Sequence, residues 1–145
     1  MNKIKRLLLP FIAIFILTSN FTTHADDDFA EKHVVLQISD ASRQELVLNV
    51  ANNLQKHYGV DKVAIEVVAF GPGLKTLFAN NEISAPRIEG LAANGVKFSA
   101  CSNTIAAIKR KTGKEPKINK HSTKVAAGVV RIMDLVNKGY TLIKP

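Results

Sequence analysis

The 145-residue chain has a single cysteine, Cys101. One thiol closes no internal disulfide, so the fold must rest on its apolar core, and a chain of this length can bury enough surface to do so. One thiol also assembles no zinc signature, and His33, His57 and His121 make no pair at ligand spacing, so no metal is expected. The glycine patterns of nucleotide sites are missing too. "FGPGLK" (residues 70–75) lacks the third glycine of the dinucleotide fingerprint and the Gly-Lys-Ser/Thr ending of a phosphate loop, so no cofactor is implied. There is no nucleophile elbow and no Ser-His-Asp order. Aromatic and basic residues are not interleaved in the RNA-binding manner, so nucleic acid is not an expected partner. Nor does any apolar run reach the roughly 20 residues of a membrane-spanning helix.

What is present begins with an export signal. Lys3, Lys5 and Arg6 form a basic cap, residues 7–17 are apolar except for Pro10, and Thr23-His24-Ala25 sets small residues three and one positions before a cut. This pattern predicts a signal peptide over residues 1–25, an exported (periplasmic or secreted) protein, and no stable membrane insertion after cleavage. The mature chain, residues 26–145, is one domain by length. Cleavage removes three of the twenty Lys and Arg and none of the twelve acidic residues, leaving a moderate +5.

Hydrophobic patterning then alternates strand with helix. "HVVLQIS" (33–39) reads as a strand, and Ser42 to Glu45 as a capping box opening a helix that Gly59 closes in a left-handed cap. "KVAIEVVAF" (62–70) is apolar on both faces except at Glu66, the mark of a strand in a parallel sheet covered on both sides. Ser84 caps a helix with Pro86 in its first turn. Residues 96–100 read as a third strand, 102–111 as a helix, and 140–143 as a last strand. Residues 123–138 read as a helix burying Val125, Val129, Ile132, Met133 and Val136. "EPKINKHS" (115–122) holds either a short edge strand or a loop. The sum is a three-layer α/β sandwich with a mostly parallel sheet of about five strands and helices on both faces.

Cys101 ends a strand and precedes a helix, which places it at the carboxyl edge where open α/β sheets gather their chemistry. Helix amides there favour a thiolate. The other reading is an inert buried thiol. Gly71 and Gly73 read as a tight turn on the same edge and are candidates for contact with a substrate. If residues 117–120 form a strand, His121 emerges beside Cys101; otherwise it is a solvated loop histidine. The basic run from Lys109 to Lys124 is either a solvated face or, through later members such as Lys120, a means of drawing anions toward the thiol. Asn49, Asn52, Asn53 and Lys56 line one side of the first helix, facing solvent or another subunit.

"HVVLQIS", "NVANNLQKHYG", "IEVVAFGPGLK", "GVKFSACSNT" and "AGVVRIMDLVNKGYTLIKP" together resemble the DsrE/DsrF-like family, in the same order and over nearly all of residues 26–145. The family includes sulfur-relay subunits. The resemblance implies a compact α/β sandwich, assembly into homo- or hetero-oligomers (often trimers or hexamers), and a cysteine that carries a persulfide in active members. Cys101 matches that position, with Ser102, Asn103 and Thr104 beside it. It leads to the expectation of a periplasmic sulfur-handling protein, a possible sulfurtransferase or sulfur carrier, with a homo-oligomeric state and a sulfur-donor or acceptor protein as partner. The rival expectations are an oligomeric binding or scaffold module with a structural Cys101, and a thiol redox sensor.

Overall fold

Every residue of the strand Val63–Ala69 (β2) is buried, as a β-branched run without a polar face requires. Around it lies a five-stranded sheet, described in a computed structural model that covers residues 29–145. The expected signal peptide and the acidic Asp26-Asp27-Asp28 lie outside the described residues. The other strands are β1 (Lys32–Ile38), β3 (Lys97–Cys101), β4 (Ser122–Val125) and β5 (Thr141–Ile143), in the order β4-β3-β2-β1-β5. All four pairings are parallel.

That order decides where the helices go. From β1 to β2 to β3 to β4 the chain steps one way across the sheet, through α1 (Gln44–Tyr58), then a 3-10 segment (Gly71–Leu77) and α2 (Ala85–Ala93), then α3 (Ser102–Thr112). Right-handed crossovers in one direction leave these segments on one face. There Leu36, Val67 and Phe98 pack with Val47, Leu48, Leu74, Ile88, Leu91 and Ile105. From β4 the chain returns across three strands to β5, so the connecting helix α4 (Gly128–Asn137) covers the opposite face. A smaller core sits beneath it: Val35, Ala64, Val68, Ile132, Leu135 and Tyr140. Burying each such aliphatic side chain contributes about 1.5–3 kcal/mol, so the first face carries most of the apolar stabilisation. The expected three-layer sandwich with helices on both faces is the architecture observed, with every strand parallel. Among the described residues no helix is long and apolar enough to cross a membrane.

Local details depart from the sequence reading. The helix expected over residues 123–138 starts only at Gly128, because Ser122–Val125 pairs with Phe98–Cys101 as the edge strand β4. Residues 117–120 are not a strand; Ile118 makes one isolated antiparallel bridge with Phe78. Asp40, not Ser42, supplies the cap before α1: its carboxylate accepts the Ser42 amide at 2.9 Å, and a 3-10 turn (Ala41–Arg43) precedes the helix. Asn81 rather than Ser84 accepts an amide ahead of α2, that of Ser84 at 3.1 Å, while the Ser84 hydroxyl donates to the Thr76 carbonyl. Gly59 follows α1 with positive φ but an extended ψ of 146°, so it is not a left-handed helical cap.

The largest departure concerns α4. Only Gly128, Ile132 and Leu135 are buried, at i, i+4 and i+7. Val129, Val130, Met133 and Val136, three of them expected in the core, are 43–60% exposed. Among the described residues α4 is the only helix on its face of the sheet, with a layer beneath it and none above, so its second apolar stripe points outward.

Two glycines predict opposite responses to alanine. A Cβ at Gly73 would collide with the Ile38 carbonyl and lie 2.8 Å from the Ser39 amide, whereas at Gly90, inside α2, it would meet nothing within 4 Å. Gly73→Ala is expected to destabilise the fold by about 1–3 kcal/mol through forced overpacking. Gly90→Ala is expected to stabilise it by about 0.5–1 kcal/mol through lower unfolded-state entropy. Urea midpoints at constant slope measure both.

Candidate functional site

Side chains alternate along β3. Phe98 and Ala100 enter the larger core, so Ser99 and Cys101 point to the α4 side. Cys101 is also the residue from which α3 departs, with extended backbone (φ −67°, ψ 114°) at the N-cap position. Its strand partner is Val125, and the chain then turns through Ala126 and Ala127 into α4. Asn103 ties the turn down by donating its amide to the Ala126 carbonyl at 3.3 Å. Two helices therefore begin beside one sulfur atom.

Gly128 makes the approach of α4 possible. A Cβ there would stand 3.0 Å from Cβ and Cδ1 of Phe70, so a larger residue would fit only if the Phe70 side chain or the first turn of α4 gave way by a few tenths of an ångström. The 3-10 segment joins the same edge. The Gly71 amide donates to Thr104 Oγ1 at 3.0 Å, which leaves the threonine hydroxyl hydrogen free to serve the sulfur. Gly73 packs against the end of β1 and has a structural role.

The electrostatics of the thiol follow from these neighbours. Burial, the largest influence, pushes the Cys101 pKa up. Hydrogen bonds from the Thr104 hydroxyl and from the amides of Gly128, Thr104 and Asn103 together outweigh it, and the thiol lies below its ordinary value. A helix terminus at an exposed site contributes only about 0.3–1 kcal/mol. A direct hydrogen bond to a charged group contributes about 1.5–3 kcal/mol. Direct donors, rather than the dipole at a distance, are therefore the dominant favourable influence.

Cys101, Thr104, the Asn103 backbone and Gly71 thus lie together at one edge of the sheet, with Ser102 half-buried alongside. Several expectations fail. The accessible thiol that the sulfur-handling reading required is only 5% exposed. Lys120 and His121 precede β4, at the amino-terminal edge of the sheet, whereas Cys101 is at the carboxyl edge. Both lie near Glu89 instead, at 3.8 and 4.0 Å. The basic run is engaged elsewhere too: Lys109 and Lys124 both pair with Glu115. A cavity of about 670 Å3 between Phe78, Ile108 and Pro116 lies toward the other end of α3, remote from the sulfur.

Sequence reasoning missed one cluster. Glu66 in β2 is 1% exposed, and its Oε1 accepts from Ser99 Oγ at 2.6 Å and from Arg131 Nε at 2.7 Å. Its Oε2 accepts from the other arm of the Arg131 fork at 2.6 Å. The signal was a lone carboxylate in an otherwise apolar strand, since a buried charge demands a partner.

Neither a protein-family model nor a curated protein matches this chain. Among solved structures, the chain is similar to a protein of unknown function, MTH1491 from Methanobacterium thermoautotrophicum, with a TM-score of 0.67 and 29% identity over 79% of this chain and 99% of that one.

The thiol's acidity gives a pH prediction. Stability that the thiolate contributes is present above the pKa of an unfolded cysteine and is lost as pH falls through the lowered native value. Iodoacetamide labelling against pH, with Cys101→Ser as blank, should show a midpoint below that of a free cysteine. Thr104→Val, which removes the hydroxyl donor, should move the midpoint upward. An unchanged midpoint would clear Thr104 of that role.

Proposed function

We propose that this chain is an exported sulfur-handling protein of the DsrE/DsrF-like kind, in which Cys101 accepts sulfane sulfur as a persulfide and passes it on. The observation that supports the reading is the place of Cys101 at the carboxyl edge of the sheet, where α3 departs and the turn into α4 arrives, so that helix-start donors lie beside a buried sulfur whose pKa is lowered. An idle core thiol needs none of them.

The chemistry uses the same donors twice. The Cys101 thiolate attacks the sulfane sulfur of a persulfide or polysulfide donor. A bond forms from Sγ to that sulfur, the donor's S–S bond breaks, and its electron pair leaves on the donor thiolate. An acceptor thiolate then attacks the outer sulfur, and the electron pair of the Sγ–S bond returns to Cys101. Sulfur is transferred with no net oxidation of the protein. A lowered thiol pKa raises the share of thiolate available to attack and makes Cys101 a better leaving group afterwards. The donors that hold the anion serve both steps.

Burial of the thiol favours a second reading, a scaffold with a structural Cys101. Native mass spectrometry after polysulfide treatment decides between them. The sulfur-handling reading expects one added sulfur on Cys101, removed by excess thiol and absent in Cys101→Ser. A native protein that gains no sulfur would leave the scaffold reading. Gain of oxygen with peroxide, and none of sulfur, would leave a redox sensor.

We also propose that the chain assembles with copies of itself, as trimers or hexamers, through the outer face of α4. Val129, Val130, Met133 and Val136 form an exposed uncharged stripe there. Leu142 of β5, 45% exposed, is paired with Val35 and so faces the same side of the sheet. Such a contact would lie next to Gly128 and the sulfur. Light scattering should give a multiple of the monomer mass, and Val130→Lys with Met133→Lys should reduce it. Unchanged mass in that variant would move the interface elsewhere, with the asparagine side of α1 the next candidate.

A further inference from the structure

We infer that the Glu66–Arg131 ion pair is a positioning device for Cys101: it locks the first turns of α4 onto the sheet, so that the start of this helix is held beside the strand end that carries the sulfur. Arg131 follows Gly128 by three residues, close to one helical turn. Its guanidinium grips both oxygens of Glu66, at 2.7 and 2.6 Å. The third donor to this carboxylate is Ser99, two residues before Cys101 and on the same side of β3. The carboxylate therefore joins β3, which carries the sulfur, to α4, which carries an amide donor to it.

The energetics point the same way. Glu66 is 1% exposed, and a buried pair adds little stability over apolar side chains of similar volume. What an ion pair adds is direction, because a bidentate fork fixes angle and register where apolar packing allows sliding. The core beneath α4 is small, and the helix contributes only Ile132 and Leu135 to it as large buried side chains, so its apolar footing is short. The pair is neutral overall, so its influence on the thiol is exerted through where α4 lies. Glu66 and Arg131 are positioning residues and contact no reactant.

This inference rests on the sulfur-handling reading for its purpose, but thiol acidity is measured with no sulfur donor present, so the two fail separately. The experiment is the pH profile of iodoacetamide labelling of Cys101 in the full chain, for the wild type, Glu66→Gln and the double variant Glu66→Met/Arg131→Met. The midpoint reports thiolate stabilisation and the high-pH plateau reports access. In Glu66→Gln the fork loses one acceptor oxygen; the midpoint should move to higher pH and labelling at pH 7 should fall by roughly threefold. If that variant does not fold, the double variant carries the test, since it leaves no unpaired charge. It should retain native thermal stability and still show the raised midpoint. Wild-type midpoints in folded variants would overturn the inference. A raised midpoint together with a wild type that gains no sulfur from polysulfide would uphold it and sink the sulfur-handling reading.

Discussion

A sheet whose central strand is buried on both faces must be covered on both, and among the described residues a single helix covers the second face. The constraint originates in the strand order. Three successive connections advance across the sheet and stack on one side, and the fourth, returning from β4 to β5, is the one that reaches the other. One side of Cys101, the side that α4 approaches, depends on how that helix is held. Gly128 lets it approach Phe70, Ile132 and Leu135 give it an apolar footing, and Arg131 anchors it to Glu66.

The same constraint explains why a carboxylate is tolerated in the middle of β2. Desolvating Glu66 is costly, but Arg131 and Ser99 satisfy both of its oxygens, and Arg131 itself remains 31% exposed, so only one of the two charges loses most of its water. An unpaired carboxylate there would be among the few single changes able to cost several kcal/mol. The polar cluster and the sulfur are neighbours because residues 99 and 101 share a face of β3. Alternation along one strand thus links the buried charge to the thiol.

The thiol represents a balance of opposing influences. Burial at the end of an interior strand disfavours the anion, and four donors favour it more strongly. Two of those donor groups, the Asn103 and Thr104 amides, come with the helix that starts at Cys101. The Gly128 amide comes from a helix that starts 27 residues after Cys101, and the Thr104 hydroxyl is oriented by Gly71. Local chain direction and distant packing therefore contribute to the same atom. The cover that makes the donors effective also limits access, which is why burial and acidity have to be judged together.

By itself the sequence determined most of the elements and their order, β4 excepted. β-branched apolar runs make strands, glycines at residues 95, 113 and 139 supply the positive φ that ends a helix, and the position of Cys101 between strand and helix puts it at the carboxyl edge. These are local properties, legible over a few residues. Residues 122–125 were not legible in this way, since four half-polar residues beside a helical pattern carry too little periodicity to separate strand from helix, and only pairing with β3 made them a strand. The displacement of Lys120 and His121 from the thiol followed from that pairing. The grip of Arg131 on Glu66 spans 65 residues, and no local spacing encodes it. Which apolar stripe of α4 faces inward was likewise decided by the sheet beneath it, because two stripes of similar hydrophobicity lie on one helix and a single layer can bury only one.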